Sequence, residues 1–219
     1  MLGKKPITER PAFSARIHAD QHRSYLKLAS SLKELIQTIP VSRDIVIVCI
    51  GTDRSTGDSL GPLTGTMLQK ARLKRVHVHG TLAAPVHAVN LEETLADIVQ
   101  KYRNPFLIAV DACLGRLKNV GTISLAEGPV MPGAAMNKKL PPVGDVHITG
   151  IVNVSGMMEY FVLQNTRLHM VMTIAECISE GFIHADRQLS LRQSPPSVTT
   201  LPKTYLTSKD VSKKEPVRP

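Results

Sequence analysis

Tryptophan is absent from this chain, and Phe and Tyr supply only 4 % of its 219 residues. Any core must therefore be built from Val, Ile, Leu, Met and Ala, and at 42 % hydrophobic residues there are enough of them. Cysteine is scarce as well. Cys49, Cys113 and Cys177 form an odd set with no Cys-x-x-Cys spacing, which argues against a disulfide framework and for a reducing compartment. No apolar stretch reaches the roughly 18 residues that span a bilayer. The opening Met1-Leu-Gly-Lys-Lys-Pro6 lacks the apolar run of a secretory signal. The expectation is a soluble, cytoplasmic protein with no membrane contact.

What charge there is of one sign sits at the ends. The formal net charge is +9. Residues 1–43 carry a net +5 and residues 190–219 a net +4, while residues 44–189 balance at zero. The excess is thus absent from the body. A basic tail can attract nucleic acid or acidic partners, or it can simply keep a protein in solution.

The chain reads as one domain over residues 20–189, preceded by a loose arm at 1–19 and followed by a disordered basic tail at 190–219, rich in Ser, Thr, Pro and Lys. Helical spacing over Asp20–Ile39 predicts a helix that ends before Pro40. Ile45-Val-Ile-Val-Cys-Ile50 and Phe106-Leu-Ile-Ala-Val110 are continuous apolar runs bounded by Gly or Pro, as expected of strands buried on both faces. Further strands are predicted at Val76–Leu82, Val120–Leu125, Val146–Val154 and Leu168–Met172. Helices are predicted at Leu60–Leu73, Leu91–Tyr102 with Asn90 as its cap, from Ser155-Gly156 to about Asn165, and at Ile174–Gly181. Met157, Met158, Tyr160, Phe161 and Leu163 read as helix core. Glu127–Pro142 is a long turn-rich stretch, and such stretches are often functional. The alternation of strands and helices implies an α/β sandwich on a largely parallel sheet.

Both buried runs end at carboxylates. The first opens into Gly51-Thr-Asp-Arg-Ser-Thr-Gly-Asp-Ser-Leu-Gly-Pro62 and the second into Asp111-Ala-Cys-Leu-Gly115. Ligands of open α/β sheets bind beyond the carboxyl ends of the strands. The first loop has neither a Gly-x-x-x-x-Gly-Lys-Ser/Thr nor a Gly-x-Gly-x-x-Gly pattern, which argues against nucleotide binding. Asp58 is placed either to cap the following helix or to work with Asp111. If the two converge, repulsion and desolvation raise one pKa, and the pair can divide general acid and general base roles in hydrolysis. Gly51, Thr52, Asp53 and Ser59 of the loop, with His87 and His147, are candidates for holding substrate. His77 and His79 share a face of their strand, yet no His-Glu-x-x-His or Cys/His cluster supports a metal site.

Gly51-Thr52, Gly57-Asp58-Ser59-Leu60-Gly61-Pro62 and Ile108-Ala-Val-Asp111-Ala112 together resemble the YyaC family of sporulation proteins of spore-forming bacteria, over roughly residues 20–189. That family is similar to the germination protease that degrades small acid-soluble spore proteins, and more distantly to hydrogenase maturation endopeptidases. The resemblance implies a phosphorylase/hydrolase-like, three-layer α/β/α sandwich and makes Asp58 and Asp111 the catalytic pair. Maturation endopeptidases carry an acidic metal ligand right after the first Asp, where this chain has Ser59. The resemblance therefore implies a sporulation or germination endopeptidase that needs no metal and no cofactor. Its implied partner is a protein or peptide substrate such as the small acid-soluble spore proteins, with weak nucleic-acid contact through the basic tail and with homo-oligomerisation left open. Two alternatives remain: a non-catalytic spore protein of the same fold that binds a protein partner, and a metal-dependent maturation-type peptidase.

Overall fold

The computed structural model describes residues 14–133 and 140–193. Six strands form one mixed sheet: β1 (Ser14–His18), β2 (Ile45–Cys49), β3 (Val76–His79), β4 (Phe106–Gly115), β5 (Thr122–Glu127) and β6 (Val146–Val154). Their order across the sheet is β1-β5-β6-β4-β2-β3. Pairings β6–β4, β4–β2 and β2–β3 are parallel, and β5 runs antiparallel to both β6 and β1. Among the described residues five α-helices accompany the sheet: α1 (Ser24–Thr38), α2 (Leu60–Ala71), α3 (Leu91–Lys101), α4 (Glu159–Gln164) and α5 (Leu168–Gln193). The result is the α/β sandwich on a mostly parallel sheet that the alternation implied.

Side chains alternate across a strand, so the two faces of β2 belong to two cores. Ile45, Ile47 and Cys49 pack with Leu28 and Leu32 of α1, Leu68 of α2 and Ile178 of α5. Val46, Val48 and Ile50 pack with Leu91 and Ile98 of α3 and with Ala109 of β4. Burial on both faces is the reason this run is uninterruptedly apolar.

Several expectations need correction. Ser14–His18 is not part of a loose arm. It is an edge strand whose single buried apolar residue, Ile17, gives little periodicity to read, and only pairing with β5 fixes it. Leu168–Met172 is not a strand. It is the start of α5, where buried Val171, Ile174, Ala175, Ile178, Phe182, Ala185 and Leu189 recur at helical spacing. A short apolar run looks alike in either state, and the stripe beyond it decides. Gly181 lies inside α5 where that helix crosses Leu28. The helix also continues through residues 190–193, which the sequence assigns to the tail; the remainder of the tail, the arm's residues 1–13 and residues 134–139 lie outside the described residues. Met157, Met158, Tyr160 and Phe161 are not core: they are 89, 65, 46 and 52 % exposed, and only Leu163 is buried. Lastly, Asn90 stands at the N-cap of α3 as expected, but its side chain makes no cap bond to the helix. Its Oδ1 instead accepts the His87 N–H and its amide donates to the Pro85 carbonyl.

Among the described residues no helix is long and apolar enough to cross a membrane.

Candidate functional site

β4 is twice as long as its neighbour β2. Their pairing ends at Cys49 and Val110, so Asp111 pairs only with Thr149 of β6. Asp111 therefore lies inside a strand rather than in the loop predicted after it. By alternation its side chain shares the face of Leu107 and Ala109, the face covered by α3. Where β2 stops, the chain leaves through Ile50 and Gly51, opening a notch beside the continuing β4.

The loop after β2 folds back into this notch. Gly51 has φ 144°, and a Cβ there would lie 1.9 Å from the Asp58 carbonyl oxygen, so only glycine fits. That carbonyl accepts the Thr52 N–H at 3.2 Å, closing the loop. Asp58 sits in a 3-10 turn, Gly57–Ser59, that runs straight into α2. No side chain caps α2, which removes the capping role considered for Asp58. The turn is pressed against α4: a Cβ on Gly57 would come within 2.7 Å of Leu163.

Asp58 and Asp111 line one cavity of about 300 Å³. Gly51, Thr52 and His87 line it too. Asp53 is exposed outside it, and Ser59 is buried beneath the turn with its hydroxyl donating to the Thr56 carbonyl at 2.6 Å. His147 is also outside the lining, its Nδ1 hydrogen-bonded with the Gly128 carbonyl at 2.8 Å. His77 and His79 lie apart from the cavity, both against the Tyr102 ring. Among the described residues no three His, Cys, Asp or Glu side chains cluster as a metal site requires.

The two carboxyls have unlike surroundings. Burial pushes Asp111 up to about 7; the Ala112 N–H, donating to its Oδ1 at 2.9 Å, works against that rise, and the charge of Asp58 adds to it. Burial raises Asp58 as well, and Ser55 pulls the other way. The Ser55 hydroxyl is itself buried and has no hydrogen bond of good geometry among the described residues. Cys113, also in the lining, is held as a thiol: burial and the Asp111 charge push it up to about 11. One carboxyl protonated near neutrality beside one that ionises more readily is the arrangement an acid–base pair needs.

The remaining walls are ones the sequence did not assign to a site. Leu114 comes from β4, and Glu159 and Leu163 from α4. Val130–Gly133 and Leu140 come from the turn-rich stretch, the one part of this wall whose composition pointed to function. Val130 and Val143 pin that stretch with a mutual pair of backbone hydrogen bonds at 2.9 and 3.0 Å.

Comparison with known proteins agrees with the resemblance seen in the motifs. The chain is 54 % identical over 182 residues to the uncharacterized protein YyaC of Bacillus subtilis (strain 168), covering 80 % of this chain and 88 % of that protein. The crystal structure of the [NiFe] hydrogenase maturation protease HycI from Thermococcus kodakarensis KOD1 aligns with 71 % of this chain and 98 % of its own, with a TM-score of 0.46 and 18 % identity. Residues 16–181 match the family model described as a protein of unknown function, DUF1256. The chain belongs to the DUF1256 family.

Proposed function

We propose that the protein is an endopeptidase that hydrolyses peptide bonds with Asp58 and Asp111 and no metal. The observation that carries this reading is the pair of carboxyls in one cavity with different proton affinities. Asp58, the readier to ionise, takes a proton from a water as that water attacks the peptide carbonyl carbon. Asp111, protonated up to about 7, gives its proton to the amide nitrogen as the C–N bond breaks. The products are a carboxylic acid and an amine, and proton exchange with solvent resets the pair. A sporulation or germination setting, with spore proteins as substrates, rests on the motif resemblance.

The test is cleavage of fluorescein-labelled casein and of a mixed peptide library by the parent, Asp58→Asn and Asp111→Asn proteins, with and without EDTA. General acid or base catalysis contributes about 10²–10⁴-fold, so each variant should lose at least about a hundredfold while EDTA has no effect. Equal cleavage by parent and both variants, or loss of activity on chelation, would overturn the mechanism.

A second reading has one observation in its favour. Met157, Met158, Tyr160 and Phe161 are exposed beside Glu159 and Leu163 of the cavity wall, as suits a protein that binds a partner without cutting it. A parent protein that cleaves nothing in the same assay would favour it.

A further inference from the structure

The cavity is chemically mixed. Besides the two aspartates its lining carries a set of apolar side chains: Leu114, Val130, Met131, Leu140 and Leu163. Val130 and Leu140 also pack against the core cluster between the sheet and α3, so this wall is continuous with the interior of the protein. Its backbone is fixed by the Val130–Val143 hydrogen-bonded pair and by the contact of Leu163 with Gly57. A fixed apolar wall beside reacting groups is how a site selects a side chain.

Size and charge narrow the ligand. About 300 Å³ is at the small end of ligand pockets and suits one or two side chains rather than a large cofactor. Among the described lining residues Asp58, Asp111 and Glu159 are acidic and none is Lys or Arg. A carboxylate entering here would be desolvated against hydrocarbon and placed beside Asp58 and Asp111, both of which cost free energy. Met131 is 62 % exposed at the mouth, where an incoming side chain can cover it, and an unbranched thioether adapts to different apolar shapes.

We infer that this wall is a specificity subsite for an extended protein segment carrying an uncharged apolar side chain next to the bond held between Asp58 and Asp111, and that it rejects acidic side chains there. The inference rests on reading the cavity as a peptide site.

The experiment uses matched octapeptides that differ at one central position, Leu, Gly or Glu, against the full-length protein. Binding is measured by fluorescence anisotropy and cleavage by mass spectrometry. The Leu peptide should bind at least about tenfold more tightly than the Gly peptide, with the Glu peptide weakest, and any cleavage should follow that order. Met131→Asp, at an exposed position, should keep the fold and lower affinity for the Leu peptide about tenfold more than it lowers affinity for the Gly peptide. Cleavage without preference among the three peptides would overturn the subsite and leave the peptidase reading standing. Preferential binding of the Leu peptide without cleavage would support the subsite and count against the peptidase reading. Binding of none of the peptides at millimolar concentration, or equal binding of Leu and Glu peptides, would overturn the inference.

Discussion

Gly51 and the carbonyl oxygen of Asp58 are in such close contact that a Cβ on the glycine would sit 1.9 Å from that oxygen. The contact is what folds the loop after β2 back into the notch beside β4 and brings Asp58 to the cavity that Asp111 also lines. Gly51→Ala therefore has to move one of the two. It also places a side chain at φ 144°, a strain of about 1–3 kcal/mol. Urea unfolding should show a loss of at least that size, because the clash adds to the strain. In the peptidase assay the variant should fall with Asp58→Asn rather than with the parent.

The Asp111 carboxyl makes stability depend on pH with a definite sign. Its folded pKa, about 7, lies above the ordinary 3.8. Between those values the folded protein holds a proton that the unfolded chain has released. Stability is then greatest below about 4 as far as this group is concerned, and it falls as pH rises toward 7. Asp111→Asn removes the charge that has to be buried. The variant should be more stable than the parent at pH 8, by about 1–4 kcal/mol, and the difference should vanish near pH 4. Paired denaturant titrations at the two pH values measure it.

Catalysis by the pair should be bell-shaped in pH. The acid limb follows protonation of Asp58, whose pKa is raised by burial. The alkaline limb follows loss of the Asp111 proton at about 7. The optimum should lie on the acid side of neutrality, and kcat/KM should fall about tenfold per pH unit on the far side of each limb. A profile still rising at pH 9 would contradict these roles.

The far end of α5 is structural. Phe182 is fully buried, with Ala185 and Leu189 continuing its stripe. Phe182→Ala should cost about 3–5 kcal/mol. A chain cut after Gly181, where the sequence alone ends its last helix, should fail to give a cooperative thermal transition.

Met157 gives the opposite case. At 89 % exposure it contributes nothing to the core, and Met157→Ser should change stability by no more than about 0.5 kcal/mol. A buried methionine would cost about 2–5 kcal/mol on truncation, so one unfolding curve separates the helix-core reading of this stretch from the structure.

Elements whose burial is written into their own residues are legible without the structure. Ile45–Cys49 is apolar at every position because both its faces are covered, and Val146–Val154 has the same bounds in the sequence pattern and in the sheet. Leu60–Ala71 and Leu91–Lys101 carry helical stripes that need no partner to be read. Asp58 and Asp111 stood out because each follows or ends such a run. Other features depended on neighbours distant in the chain. Ser14–His18 became a strand because β5 offered an edge, and Leu168–Met172 became helix because the stripe through Leu189 fitted against α1 and α2. The apolar wall of the cavity draws on residues from Leu114 to Leu163, and no local pattern joins them. The meeting of the two aspartates was likewise decided in three dimensions: β4 outruns β2 by five residues, and the glycine at position 51 lets the next loop turn into the space left behind.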